Sequence, residues 1–100
     1  MDEVAKEMLP DFIEYANECI YSLESILIPC EAGKCSIDAY KEVLRIVHGL
    51  KGTAGSFGFE EITDGCHEFE TASMNYDDFL KNVTKLIAII DDFQSRLNGL

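Results

Sequence analysis

Val47-His48-Gly49-Leu50-Lys51-Gly52-Thr53-Ala54-Gly55-Ser56-Phe57-Gly58-Phe59 holds a helix, its end and the turn into the next element. Val47, Leu50, Ala54 and Phe57 recur at steps of three and four, which is the stripe a helix turns toward a core. Beside that stripe, His48, Lys51, Gly52 and Gly55 gather on one side. Glycine within a helix costs on the order of 1 kcal/mol relative to alanine, so Gly49, Gly52 and Gly55 call for a reason other than helix stability. Small residues clear the ground around the His48 imidazole so that a partner surface can approach it. Lys51 offers a cation to an anion carried on the ring.

Working outward, Ser36 reads as an N-cap with Asp38 in the first turn, which opens this helix and carries it to about Ser56. Tyr40 and Val43 extend its inward stripe. Ser56-Phe57-Gly58 is the turn, and Glu60 and Glu61 open a third helix with Phe59, Ile62, Cys66 and Phe69 facing inward, antiparallel to the second. After a break near Asn75, the series Tyr76-Phe79-Val83-Leu86-Ile90-Phe93-Leu97 runs without a miss to Gly99, which suits the position just past a helix end.

Upstream, residues 1–28 carry two apolar stripes, Met8-Phe12-Tyr15-Cys19-Ile26 and Leu9-Ile13-Ala16-Ile20-Leu23-Leu27. One stripe is expected to face the bundle, with the other packed on the last helix or left as a docking patch. Pro10 fits only a first turn, so the regular helix is expected to start near it, with residues 1–9 as a lead-in. Pro29 is expected to end it and to begin a loop through Cys35. Four helices, short connections and no strand periodicity predict an all-α fold, an antiparallel up-down four-helix bundle over residues 1–100 as one domain.

Nineteen acidic against eight basic residues give a formal charge of -11, which argues against a nucleic-acid partner because phosphate contacts need a basic stripe. Half of the basic residues, Lys34, Lys41, Arg45 and Lys51, lie between residues 34 and 51. Lys41, Arg45, His48 and Gly52 share a helical face, a candidate binding surface for an acidic partner or a phosphate. No apolar run approaches the roughly 20 residues of a membrane span, and acidic Asp2, Glu3 and Glu7 do not resemble a signal peptide, so a cytoplasmic protein without a membrane partner is expected. Cys19, Cys30, Cys35 and Cys66 show no CxxC spacing, and reduced thiols without a metal site are expected.

A histidine beside an apolar stripe is ordinarily a satisfied structural residue, but the glycines and lysine around His48 point to chemistry. A neutral imidazole is nucleophilic at one nitrogen when a second group holds the other as N–H. With the turn centred near Phe57 and Gly58, residues roughly nine to twelve beyond it lie level with His48. That window contains His67, Glu68 and Glu70, and Glu70 flanks the inward stripe, where its carboxylate is positioned to reach the ring. His67 is expected as a neighbour of that pair, and Lys51 as a charge beside an incoming phosphoryl group.

The run HGLKGTAGSFGF resembles the histidine-containing phosphotransfer family, most of all the N-terminal phosphotransfer domains of CheA-type chemotaxis kinases. That resemblance implies that His48 accepts a phosphoryl group and passes it to an aspartate of a response regulator receiver domain. It also implies a histidine kinase ATP-binding domain as donor, and a third-helix carboxylate, here Glu70, that orients the ring. Magnesium would reside on the receiver and the nucleotide, and no cofactor is expected on this chain. No GxxxxGK[ST] loop occurs, so a phosphocarrier without catalytic activity of its own is expected, either freestanding or part of a histidine kinase. Two other classes compete: a helical interaction adaptor, and a metal-binding bundle using His48, His67 and Glu70.

Overall fold

The computed structural model describes residues 2–100, so Met1 of the expected 1–100 domain lies outside the described residues. Its helices are α1 (Glu3–Glu31), α2 (Ile37–Ala54), α3 (Glu60–Ala72) and α4 (Tyr76–Asn98), with a 3-10 turn over Gly55–Phe57. Each helix packs on its neighbours in the chain, and α1 packs on α4 to close the four-helix bundle. The all-α architecture expected from periodicity is present.

Caps account for most boundaries. Ser36 Oγ accepts the Ala39 N–H at 3.1 Å, and Asn75 Oδ1 accepts the Asp78 N–H at 2.9 Å, so α2 and α4 start where a side chain satisfies an otherwise orphaned donor. At the far end of α2 the helix stops at Ala54, slightly before the expected Ser56, because the chain tightens into the 3-10 turn. Gly58 then takes φ +89, a left-handed conformation that favours glycine.

The first helix departs from expectation at both ends. It begins at Glu3, where Asp2 Oδ1 accepts the Ala5 N–H at 2.7 Å, and it passes through Pro10. Pro10 and Lys6, whose carbonyl loses its helical donor, are both exposed residues, on a side of the helix where water can take the place of that donor. Likewise the helix continues past Pro29 to Glu31. The loop supplies donors to its last turn: Ala32 N–H to Ile28 O, Gly33 N–H to Cys30 O and Lys34 N–H to Pro29 O.

That loop also corrects the expectation of four reduced cysteines. Cys30 and Cys35 form a disulfide, because the turn at Gly33, with φ +83, brings their Cα atoms to 4.2 Å. Cys19 and Cys66 are free and buried as the stripes imply, and burial pushes the Cys66 thiol up to about 12.

Aromatic clusters close both ends of the core. Phe12 stacks on Phe57 with ring centroids 4.2 Å apart, and Phe59 meets Phe93 edge-on at 5.2 Å. At the opposite end Phe79 packs against Tyr40, Phe69 and Tyr76. Between them lie Ile20, Leu23, Val43, Val47, Leu50, Cys66, Leu86 and Ile90, all buried. Of the two α1 stripes, the second contributes Ala16, Ile20, Leu23 and Leu27 to the core, whereas the first buries Phe12 and Cys19 but leaves Met8 and Tyr15 exposed. Ile46, outside the expected stripe, is buried as well.

Candidate functional site

The α2–α3 hairpin sets the site. The buried stripe of α2 turns Val47 and Leu50 into the core and leaves the neighbouring His48 side chain 72% exposed. From the facing helix, buried Cys66 and Phe69 fix the rotation of α3, so that adjacent Glu70 lies along the α2–α3 seam, 23% exposed. Its Oε2 stands 3.2 Å from His48 Nδ1. Its Oε1 is buried and meets Lys51 Nζ at 2.8 Å, off the hydrogen-bonding direction, as an ion pair.

Burial would raise the Glu70 pKa, but the Lys51 and His48 contacts outweigh it and hold the carboxyl below its ordinary value. At neutral pH Glu70 is therefore an acceptor only, and Nδ1 must be the donor. The tautomer follows from that: Nδ1 carries the proton and Nε2 carries the free lone pair. An exposed ring with its nucleophilic nitrogen unencumbered is what transfer to a reacting group on another molecule needs.

The remaining expected residues fall differently. His67 lines the same open cleft as Lys51 and Glu70 but makes no side-chain hydrogen bond or ion pair with them or with His48, so its place beside the pair is one of proximity. Among the described residues no group of three or more His, Cys, Asp and Glu side chains converges to hold a metal. On the basic face, Lys41 is exposed, while Arg45 is paired with Glu42 one turn back and is not a free cation.

The three glycines separate by what they face. A Cβ at Gly52 would meet nothing within 4 Å, at Gly49 it would lie 2.9 Å from the Tyr15 hydroxyl, and at Gly55 it would lie 3.2 Å from Thr63 Oγ1. Only Gly52 opens to empty space; Gly55, expected on a bare side, lies against α3.

Two interhelical hydrogen bonds were not visible in the sequence. The Thr63 hydroxyl donates to the Lys51 carbonyl at 3.2 Å, and the Tyr40 hydroxyl donates to the Ser73 carbonyl at 2.8 Å. Periodicity places Thr63 on the face of Glu70, but no sequence signal specifies a backbone acceptor across a seam.

The family model of the Hpt domain matches residues 7–96, nearly the whole chain and all of this seam. The chain belongs to the Hpt domain family. It is similar to the chemotaxis protein CheA of Halobacterium salinarum, 33% identical over 64 residues, which is 64% of this chain and 10% of that protein. It is also similar to CheA of Rhizobium meliloti, 35% identical over 60 residues, 60% of this chain and 8% of that one. With CheA of Treponema pallidum it shares 31% over 70 residues, 70% and 9% respectively. The chain thus spans about a tenth of the length of the curated relatives it matches. No solved structure matches it. No described helix is long and apolar enough to cross a membrane.

Proposed function

We propose that this Hpt domain is a phosphorelay carrier of two-component signalling in which His48 is the phosphoryl acceptor. The observation that carries the assignment is the exposed imidazole whose Nδ1 is held by an ionised Glu70, leaving Nε2 free. Family membership and the similarity to CheA proteins support it over the adaptor and metal-binding alternatives.

In the forward step the Nε2 lone pair attacks the γ-phosphorus of ATP held by a histidine kinase domain. A P–N bond forms, the P–O bond to ADP breaks, and the bond electrons leave with ADP. The ring becomes a phosphoimidazolium whose positive charge the Glu70 carboxylate offsets through Nδ1–H. Lys51 has a double place: paired with Glu70, it is also a cation near the ring for phosphoryl oxygens. In the second step a carboxylate of a receiver domain attacks phosphorus, the P–N bond breaks and its electrons return to Nε2. Lys41, Gly52 and exposed surface near the ring form the face on which we place that receiver; Arg45 contributes through a guanidinium already shared with Glu42.

Incubation with phosphoramidate, followed by intact-mass measurement and an acid-lability test, checks the assignment. Wild type should gain one acid-labile phosphoryl group, and His48→Gln should fold normally and gain none. Acid-labile phosphate on His48→Gln would move the nucleophile elsewhere, with His67 the first position to examine.

A further inference from the structure

Glu70 is held against His48 by more than its own contacts. Its partner Lys51 sits in the last turn of α2, where the chain tightens into the 3-10 turn and the Gly55 N–H goes to the Thr53 carbonyl. The Phe59 N–H satisfies the Ala54 carbonyl at 3.1 Å, and the Thr63 hydroxyl, reaching across from α3, satisfies the Lys51 carbonyl at 3.2 Å. Thr63 and Glu70 lie seven residues apart on one face of α3. One binds the backbone of Lys51 and the other binds its ammonium group.

Gly55 belongs to the same arrangement. Any side chain there would bring a Cβ to 3.2 Å from Thr63 Oγ1, tighter than an ordinary contact, so glycine leaves the hydroxyl its seat.

We propose that Thr63 is a positioning residue for His48, acting through Lys51: its hydroxyl fixes the end of α2, which fixes the ammonium group that steadies the Glu70 carboxylate on Nδ1. The inference rests on His48 being the phosphoryl acceptor. Without the hydroxyl, the last turn of α2 is free to adjust, Lys51 draws Glu70 with it, and the carboxylate no longer selects one ring tautomer as firmly.

Thr63→Val keeps the branched shape and removes the donor; Thr63→Ser restores the donor in a smaller side chain. Two readouts apply to the purified domain. The first is the ring nitrogen shifts of His48 in a long-range proton–nitrogen NMR spectrum, which report the tautomer directly, with His67 as internal reference. The second is the rate of phosphohistidine formation from phosphoramidate, in which the P–N bond of the donor breaks as that to Nε2 forms and the departing nitrogen leaves as ammonia.

Thr63→Val should move the His48 nitrogens toward a mixed tautomer, leave His67 unchanged and slow phosphorylation about threefold to tenfold, short of the roughly hundredfold that a 1 Å misplacement can cost. Thr63→Ser should recover both. Unchanged His48 shifts in Thr63→Val overturn the inference, as does loss in Thr63→Ser equal to that in Thr63→Val, which would mark a packing role. If wild type takes no phosphoryl group, the phosphocarrier assignment falls, and the ring shifts still decide whether Thr63 positions the imidazole.

Discussion

Glu70 Oε2 lies 3.2 Å from His48 Nδ1, across a seam and 22 positions along the chain. The remaining oxygen of the same carboxylate is spent on Lys51, so one side chain fixes the ring on one helix while a cation of that helix steadies it. This division explains how an exposed histidine is oriented without being buried.

Removing that carboxylate should separate orientation from folding. Glu70→Ala should slow phosphoryl acceptance roughly tenfold, the scale on which losing a group that orients an imidazole is felt, while helical content stays unchanged. A rate equal to wild type would remove Glu70 from the site.

The same carboxyl has a pH signature. Its pKa in the folded chain is held down, so its contribution to stability is complete above the unfolded value, roughly 4.3. That contribution is lost as pH falls through the folded value. In urea denaturation the stability advantage of wild type over Glu70→Gln should therefore be constant near neutral pH and narrow as pH falls below about 4.3. A gap that is constant with pH would mean that the carboxylate charge does not stabilise the fold.

Reducing the Cys30–Cys35 bond should loosen the α1–α2 loop. A loop this short constrains the unfolded chain by about 2 kcal/mol, so the paired change Cys30→Ser and Cys35→Ser should lower stability by about that amount. Helices far from the loop should be spared, and hydrogen exchange at the end of α1 should report most of the change. Equal melting temperatures with and without reductant would assign the crosslink no part in stability.

Ser73 is fully buried, and its hydroxyl has no partner, although its carbonyl accepts from Tyr40 and its N–H reaches the Glu70 carbonyl. An unsatisfied buried hydroxyl costs about 1 to 3 kcal/mol of desolvation. Ser73→Ala removes that cost and keeps the backbone bonds, so the variant should be at least as stable as wild type, by up to about 1 kcal/mol after the small void is counted. Destabilisation would indicate a hidden partner for the hydroxyl.

The helices and the His48–Glu70 approach were legible because each rests on a local or periodic signal. Val47 and Leu50 fix one rotation, Cys66 and Phe69 the other, and the turn at Gly58 fixes the level. Pro10 and Pro29 both lie inside α1 because the cost of a proline in a helix depends on the surroundings of that turn, which no spacing reveals. The disulfide escaped for a similar reason: it depends on how a loop folds back, not on the count of residues between two cysteines. Arg45 and Gly55 took different parts from those their helical face implied, since each is decided by a neighbouring side chain, Glu42 one turn back and Thr63 on α3.

Gly52 distinguishes a docking surface from a packing one. A Cβ there would touch nothing within 4 Å, so no neighbouring helix needs the glycine, and it takes no positive φ that would require one. Gly52→Gln should therefore raise helix propensity and leave stability equal or higher by up to about 0.8 kcal/mol. Gln at this position stands one turn from His48, on the side from which a receiver domain would approach. Phosphorylation by phosphoramidate, a donor small enough to pass beside it, should stay near the wild-type rate, while transfer to a receiver domain should fall at least tenfold by steric obstruction. Melting temperature, phosphoramidate rate and transfer rate measured on the one variant separate the possibilities. A lowered melting temperature would mean that the helix is packed where the structure leaves it open, and unimpaired transfer with normal stability would place the receiver on another face of the bundle.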